Sequence, residues 1–75
     1  MNPQDIIQKI QAELPDAQVN PEGEGCNFRI EVISSAFAGK SMLQQHQMVN
    51  KILAPAITSG ALHAVTLNTR TPKNA

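Results

Sequence analysis

The sequence predicts a two-layer α+β domain, and three patterns carry that prediction. Apolar residues recur at helical spacing near the start and in the middle of the chain, they alternate at strand spacing over residues 28–33, and residues 62–69 are rich in strand formers. Glycine and proline separate these segments. The predicted order is helix, strand, strand, one or two helices, strand, with a three-stranded mixed sheet and the helices packed on one face.

Residues 5–14 form the first predicted helix. Its apolar residues recur every three or four positions and therefore share one face: Ile6, Ile7, Ile10 and Leu14. Asn2 suits the N-cap because a proline follows it at the first helical position. Pro15 ends the helix, since the residue before a proline is disfavoured in helical geometry.

A hairpin follows, with glycines and glutamates between its two strands. Residues 17–20 predict a short edge strand, and residues 28–33 predict a half-buried strand because apolar side chains occupy every second position from Phe28. The segment 21–25 is longer than the tightest hairpin turns, which favours an exposed, mobile loop. Cys26 stands where that loop ends.

The second helical region begins at Ser41, which can cap it, and carries apolar residues at helical spacing through Leu53. Pro55 interrupts this pattern, and it either kinks one helix or starts a second helix at its first turn. Gly60 suits the left-handed position beyond the helix end. The last strand, residues 62–69, returns through this helical crossover, so we expect it to lie parallel to its neighbour with a right-handed connection.

The composition indicates one small domain, 1–75, ending in a polar segment, 70–75, that we expect to be frayed. Hydrophobic residues make up 41% of the chain and charged residues 16%, which is typical of a globular protein. Six basic residues balance six acidic ones, so no net field attracts nucleic acid or an anionic membrane. The sequence has no Trp or Tyr on which single-stranded bases stack.

The sequence favours a cytoplasmic protein without a membrane partner. Its start lacks the basic flank and long apolar region of a signal peptide, and no run of ~20 apolar residues is present to span a membrane. A single cysteine, Cys26, forms no internal disulfide, so the fold does not depend on an oxidising compartment.

Few side chains of this sequence can do chemistry: the histidines His46 and His63 and the lone Cys26. A thiol enzyme is disfavoured, because glutamates near Cys26 oppose a thiolate and no carboxylate is spaced to orient a histidine. One thiolate and one imidazole fill half of a zinc or iron–sulfur site, so a metal needs further ligands from a partner or a second copy. The pattern alone favours the plainer interpretation, in which Cys26 is a loop thiol and His63 a structural strand residue.

His46 lies inside the second helical region, among apolar and glutamine side chains. We expect it to be partly buried, with a hydrogen-bonded ring. The run 44–47 around it predicts a solvated polar face on that helix.

Three segments resemble the BolA family in order and spacing. Residues 37–50, which run from Phe-Ala-Gly through a helix carrying His46, are similar to that family's Phe-x-Gly turn and its histidine-bearing helix. Residues 62–67 followed by 69–72, Thr-Arg-Thr-Pro, resemble the family's last strand and its Thr-x-Thr-Pro exit. The hairpin segment 26–30 is similar to that of members with a cysteine in the loop, and together these segments cover nearly the whole chain.

The resemblance implies a class II KH-like fold and a non-enzymatic role. Many BolA proteins pair with monothiol glutaredoxins, and in those heterodimers a [2Fe–2S] cluster is bridged by the glutaredoxin cysteine, glutathione and two BolA ligands. The matching positions are Cys26 and His63, so the resemblance supplies the missing half of the coordination sphere and favours the metal interpretation. No cluster is expected in the isolated chain. The implied function is iron–sulfur cluster assembly or transfer, or iron sensing.

The resemblance also implies an alternative, since some BolA members are described as transcriptional regulators that bind nucleic acid. KH domains hold a nucleic-acid backbone with a Gly-x-x-Gly loop, which this sequence lacks. Two positions depart from the family: Gln45 stands where a basic residue is common, and the sequence ends at Ala75 where members usually continue with acidic and aromatic residues. Four basic residues are available to cluster: Lys40, Lys51, Arg70 and Lys73.

Overall fold

The computed structural model describes residues 2–72. In chain order the elements are α1 (Pro3–Glu13), β1 (Gln18–Glu24), β2 (Asn27–Ile33), a 3-10 turn (Ser35–Phe37), α2 (Met42–Ser59) and β3 (Ala64–Arg70). β1 and β2 pair antiparallel, β3 pairs parallel with β2, and the sheet order is β1-β2-β3. The predicted α+β order and mixed sheet are confirmed.

One hydrophobic core lies between the sheet and the two helices. Every second residue of β2, beginning with Phe28, is buried, while Arg29 on the opposite face is exposed. The apolar stripes of α1 and α2 belong to the same buried cluster, so both helices cover one face of the sheet. The largest fully buried apolar side chains come from every layer: Ile6, Ile10, Ile30, Val32, Phe37, Val49, Leu53 and Leu62.

α1 begins and ends close to the predicted residues. The side chain of Asn2 accepts a hydrogen bond from the N–H of Asp5 at 3.0 Å, and Pro3 occupies the first helical position. The helix ends at Glu13, and Leu14 follows as a buried residue of the core.

The hairpin is tighter than the sequence indicated. β1 continues through Glu24, which pairs with Asn27, so only Gly25 and Cys26 form the turn. The segment 21–25 is therefore not the expected loop, because residues 21–24 belong to β1 and make the edge strand longer than 17–20. Residues 22–25 are exposed, as expected. The reason is glycine: Gly25 adopts φ 64°, the positive value that a two-residue hairpin turn needs at its first position. Gly23 within β1 adopts φ 135° and leaves no room for a Cβ beside the carbonyl oxygen of Asn27, so the strand can continue up to the turn.

The second helical region is a single helix with Pro55 inside it, and not two helices. Ser41 and Gln44 form a reciprocal capping box at its start, with hydrogen bonds of 3.2 Å and 3.0 Å. Pro55 leaves the Lys51 carbonyl without its helical donor at an exposed position, where water can replace it. Gly60 ends the helix in the left-handed conformation with φ 85°, as predicted.

Gln45 departs from the solvated face expected for residues 44–47, because its side chain is buried. Its amide oxygen accepts from Thr69 Oγ1 at 2.8 Å, and its amide nitrogen donates to the Lys40 carbonyl at 3.0 Å. Both polar ends are thus satisfied, which removes most of the cost of burial. Gln45 ties the start of α2 to the end of β3.

The last strand is displaced along the chain from the predicted 62–69. Leu62 is buried in the core and His63 precedes β3, whereas Arg70, expected in the frayed tail, is its final residue. The carbonyl of Arg70 accepts a hydrogen bond from the N–H of Ser34 at 3.0 Å, so the strand is fixed at this end. Residues 73–75 of the expected tail lie outside the described residues.

Asp16 fastens the α1–β1 connection to the end of β2. Its carboxylate accepts hydrogen bonds from Ser35 Oγ at 2.6 Å, Ser35 N at 2.8 Å and Ser34 Oγ at 2.7 Å. These bonds, led by the Ser35 hydroxyl, lower the pKa of Asp16 from 3.8 to about 2 because they favour the charged form.

We predict that Gly23→Ala unfolds more readily than the parent chain by about 2 kcal/mol or more. A Cβ at this position would clash with the carbonyl oxygen of Asn27 on the paired strand, and the φ of 135° is strained for alanine. The matched control is Gly25→Ala, which also has a positive φ but meets no heavy atom within 4 Å, so about 1 kcal/mol is expected. If the two variants lost the same free energy of unfolding in urea, the close approach of Gly23 to the Asn27 carbonyl would be contradicted.

We predict that the Asp16 hydrogen bonds weaken in acid. Because the folded-state pKa lies below its ordinary value, the carboxylate stabilises the fold fully above about pH 5 and loses this effect as the pH falls from about 4 to about 2. The free energy of unfolding in urea should decline across that window in the parent chain. Asp16→Asn, which has no carboxyl proton to gain, should lack this part of the decline; identical pH slopes in the two proteins would refute the assignment.

Candidate metal centre

Cys26 and His63 are distant in sequence but adjacent in the fold. The carbonyl oxygen of Cys26 accepts hydrogen bonds from the N–H of His63 at 2.7 Å and from the N–H of Ala64 at 3.2 Å. The parallel register explains this contact: Asn27 of β2 pairs with Ala64 of β3, so the residues just before both strands meet at one end of the sheet. The two candidate ligands are therefore brought together.

His63 lies at the surface and not under the helices. Its side chain is exposed, and Cys26 beside it is a half-buried free thiol. The preceding residue, Leu62, is buried, and its N–H donates to the carbonyl of Ala56 near the end of α2 at 3.1 Å. The backbone is thus anchored next to an accessible imidazole.

Cys26 belongs to a two-residue turn between paired strands, so its backbone position is set by the hairpin. Glu24 and Asn27 close that turn by pairing, and Gly25 supplies its positive φ. A backbone defined by such a turn reduces the ordering needed to bind a ligand.

The donor set fits a metal shared with another molecule. Among residues 2–72, no group of three or more His, Cys, Asp or Glu side chains is placed to hold a metal ion. Cys26 and His63 offer one sulfur and one nitrogen donor, both of which suit zinc and iron–sulfur sites. A four-ligand site built on this pair therefore takes its other two ligands from outside the described chain.

His46 belongs to a different part of the molecule. It follows the first turn of α2, about 15 Å along the helix axis from Ala56, whose carbonyl accepts from the N–H of Leu62 next to His63. Its Nε2 atom is buried and has no hydrogen-bond partner within residues 2–72, so the expected hydrogen-bonded ring is wrong for this atom.

The described basic residues considered for nucleic-acid binding occupy separate elements. Lys40 precedes α2, Lys51 borders the groove between α1 and α2, and Arg70 ends β3. The guanidinium of Arg70 pairs with the Glu31 carboxylate at 3.3 Å, so part of its charge is compensated. Lys73 lies outside the described residues. No helix in the 2–72 range is both long and apolar enough to cross a bilayer.

The fold defines a small α+β protein with two helices on a three-stranded mixed sheet, and comparison with known proteins gives its family. The sequence matches the BolA-like protein family over residues 6–74, and the chain belongs to that family. It is 38% identical to a BolA-like protein of Dictyostelium discoideum over 52 residues, which is 69% of this chain and 46% of the relative. It is 36% identical to BolA-like protein 2 of Homo sapiens over 72 residues, 89% of this chain and 81% of that protein.

A solved structure supports the same conclusion about the fold. The BolA domain of SufE1 from Arabidopsis thaliana matches with a TM-score of 0.82 and 26% identity, covering 93% of this chain and 91% of that chain. The α+β arrangement of two helices on a three-stranded mixed sheet is therefore the BolA fold. The chain spans about half the length of the Dictyostelium relative, and the functions of whole relatives are not transferred with the fold.

We predict that Cys26 and His63 together bind one metal ion of intermediate softness, such as Zn²⁺. Zn²⁺ titrated into the full chain should perturb the NMR signals of both residues together, and Cys26→Ser should weaken the affinity seen at His63 by roughly tenfold, since a thiolate is the stronger donor. His46→Gln is the control and should leave the titration unchanged. A response of His63 that is the same with and without the thiol would show that the two residues act separately.

Proposed function

We propose that this protein is a non-enzymatic accessory protein of iron–sulfur cluster assembly, transfer or iron sensing, working as a heterodimer with a monothiol glutaredoxin. The observation that carries the proposal is the pair of hydrogen bonds from His63 and Ala64 to the Cys26 carbonyl, at 2.7 Å and 3.2 Å. They join the backbones of the residue that carries the thiol and the residue that carries the imidazole, at one end of the sheet. A cluster shared between two proteins needs part of its ligand set, here two of four ligands, from each side.

The ligand count supports a [2Fe–2S] cluster. Cys26 and His63 would supply two of its four ligands, and the glutaredoxin cysteine and glutathione the other two. When bound, the cluster supplies a one-electron centre, whose potential is higher with a histidine ligand than with four thiolates. The role of this chain is to fix the direction of its two donors and to leave them open to the partner.

The surroundings of the two donors support a partner-facing role. The buried Leu62 anchors the chain before His63, and the two-residue turn fixes Cys26, so both donors sit on a rigid frame. The exposure of His63 leaves the ring open to a second molecule. One similar structure is a BolA domain within another protein, SufE1, which is consistent with a fold that works beside a partner.

The proposal is tested by cluster reconstitution on the full chain with a monothiol glutaredoxin and glutathione. The readouts are the visible circular dichroism of the cluster, its reduction potential and the stability of the heterodimer. His63→Cys should keep the cluster and lower its potential, because an imidazole is replaced by a thiolate. His63→Ala and Cys26→Ala should each change the spectrum and weaken the complex.

His46→Gln is the matched control for a histidine substitution and should alter none of the three readouts. If the Cys26→Ala and His63→Ala double variant keeps both the spectrum and the heterodimer stability of the parent, the ligand assignment is wrong. A parent chain that binds no glutaredoxin with the cluster present would overturn the proposed partner.

A further inference from the structure

A buried hydroxyl joins the end of β3 to the start of α2. Thr69 is 2% exposed, and its Oγ1 lies 2.8 Å from Gln45 Oε1 and 3.5 Å from Met42 Sδ. A threonine hydroxyl carries one proton, so it donates fully to only one of these acceptors at a time. The amide oxygen is the closer and the stronger acceptor, because a thioether sulfur accepts weakly, and it therefore holds the proton.

The buried amide of Gln45 depends on that proton. Its nitrogen donates to the Lys40 carbonyl at 3.0 Å, and its oxygen accepts from Thr69. The residue is 9% exposed, so water has little access to replace a lost partner. A buried acceptor without a donor costs free energy, and the Thr69 hydroxyl thus keeps α2 closed on β3 at this end of the sheet.

Met42 connects this buried hydroxyl with the solvent. It is the first residue of α2 and is 56% exposed, while its sulfur contacts the hydroxyl of Thr69. Met48, the other methionine in the described part of the chain, is half-buried in the groove between α1 and α2. Oxidation of sulfur side chains follows their exposure, so a small oxidant in solution reaches Met42 before Met48.

Hydrogen peroxide converts a methionine to its sulfoxide in a single two-electron step. A lone pair of Sδ attacks one peroxide oxygen, and an S–O bond forms as the O–O bond breaks. The released hydroxide then takes the proton from the transferred oxygen and leaves as water. Sulfur is oxidised and peroxide is reduced, so the step needs no other reactant. The product replaces an apolar thioether by a polar group whose oxygen accepts hydrogen bonds strongly.

We propose that Met42 is a peroxide-sensitive modification site, whose sulfoxide competes with Gln45 for the Thr69 hydroxyl and loosens the contact between α2 and β3. The sulfur already lies 3.5 Å from Thr69 Oγ1, and the flexible side chain can turn its new oxygen toward that hydroxyl. Gln45 Oε1 then loses its donor inside the protein. Thr69 lies roughly 17 Å along β3 from Ala64, so the effect is separate from the candidate metal centre and does not rest on the proposed function.

The first test treats the full chain, carrying Cys26→Ser so that methionines are its only sulfur side chains, with limiting hydrogen peroxide and no metal. Peptide mass spectrometry should show Met42 oxidised before Met48. Amide hydrogen exchange should then speed up roughly tenfold at Gln45 and at Ser34, whose N–H groups bond to the carbonyls of Ser41 and Arg70 near the loosened contact. Exchange at the amide of residue 63 should stay constant, and a methionine sulfoxide reductase should restore the original rates.

The second test adds two variants to the same chain. Met42→Leu is the matched control: it keeps the other methionines but has no sulfur beside Thr69, so peroxide should leave exchange at Gln45 and Ser34 unchanged. Thr69→Val keeps the side-chain shape without the hydroxyl, so exchange at Gln45 should be fast before treatment and peroxide should add little to it. Circular dichroism checks folding, and the comparison with Met42→Leu decides the question if Thr69→Val does not fold.

Three results would overturn the proposal. Met48 could be oxidised as fast as Met42, or complete oxidation of Met42 could leave exchange at Gln45 and Ser34 unchanged. Peroxide could also speed exchange equally in the parent and in Met42→Leu, which would assign the effect to another residue. None of these results bears on the proposed metal ligands, because the experiment contains neither the Cys26 thiol nor a metal.

Discussion

The parallel pairing of β2 with β3 is the interaction on which the rest of this molecule depends. β2 is the central strand, and its buried face forms the middle of the core. Its register with β3 sets Asn27 beside Ala64 and thereby brings Cys26 to His63. A shift of one residue would turn the inward side chains of β3 to the other face and separate the two donors. The candidate centre is thus a consequence of sheet register.

The other main contacts hold that register in place. At one end of β3, Leu62 is locked into the core beside the end of α2, and at the other end Thr69 donates to the buried amide of Gln45. Asp16 fastens the far end of β2 through Ser34 and Ser35. These anchors hold β2 and β3, the two strands that carry the candidate donors at their start, against α2 and the α1–β1 connection.

The sequence predicted what depends on neighbouring residues and missed what depends on distant ones. The alternation from Phe28 and the cap at Ser41 are local patterns, and both were confirmed. The full length of β1 depends on how closely Gly23 approaches the opposite strand, and the burial of Gln45 depends on Thr69, which is 24 residues away. The spacing of apolar residues within a short stretch of sequence shows neither contact. Likewise, only the family resemblance linked Cys26 to His63, because their adjacency arises from a crossover connection.

The most direct measurement of the central claim is the NMR scalar coupling across hydrogen bonds in the full chain. The register described above predicts couplings from the amide nitrogens of His63 and Ala64 to the carbonyl carbon of Cys26. The shorter bond of 2.7 Å, from His63, should give the larger coupling if both bonds are equally aligned. Couplings from these nitrogens to the carbonyl of Gly25 or Asn27 would mean a shifted register, and they would contradict the account of the candidate centre.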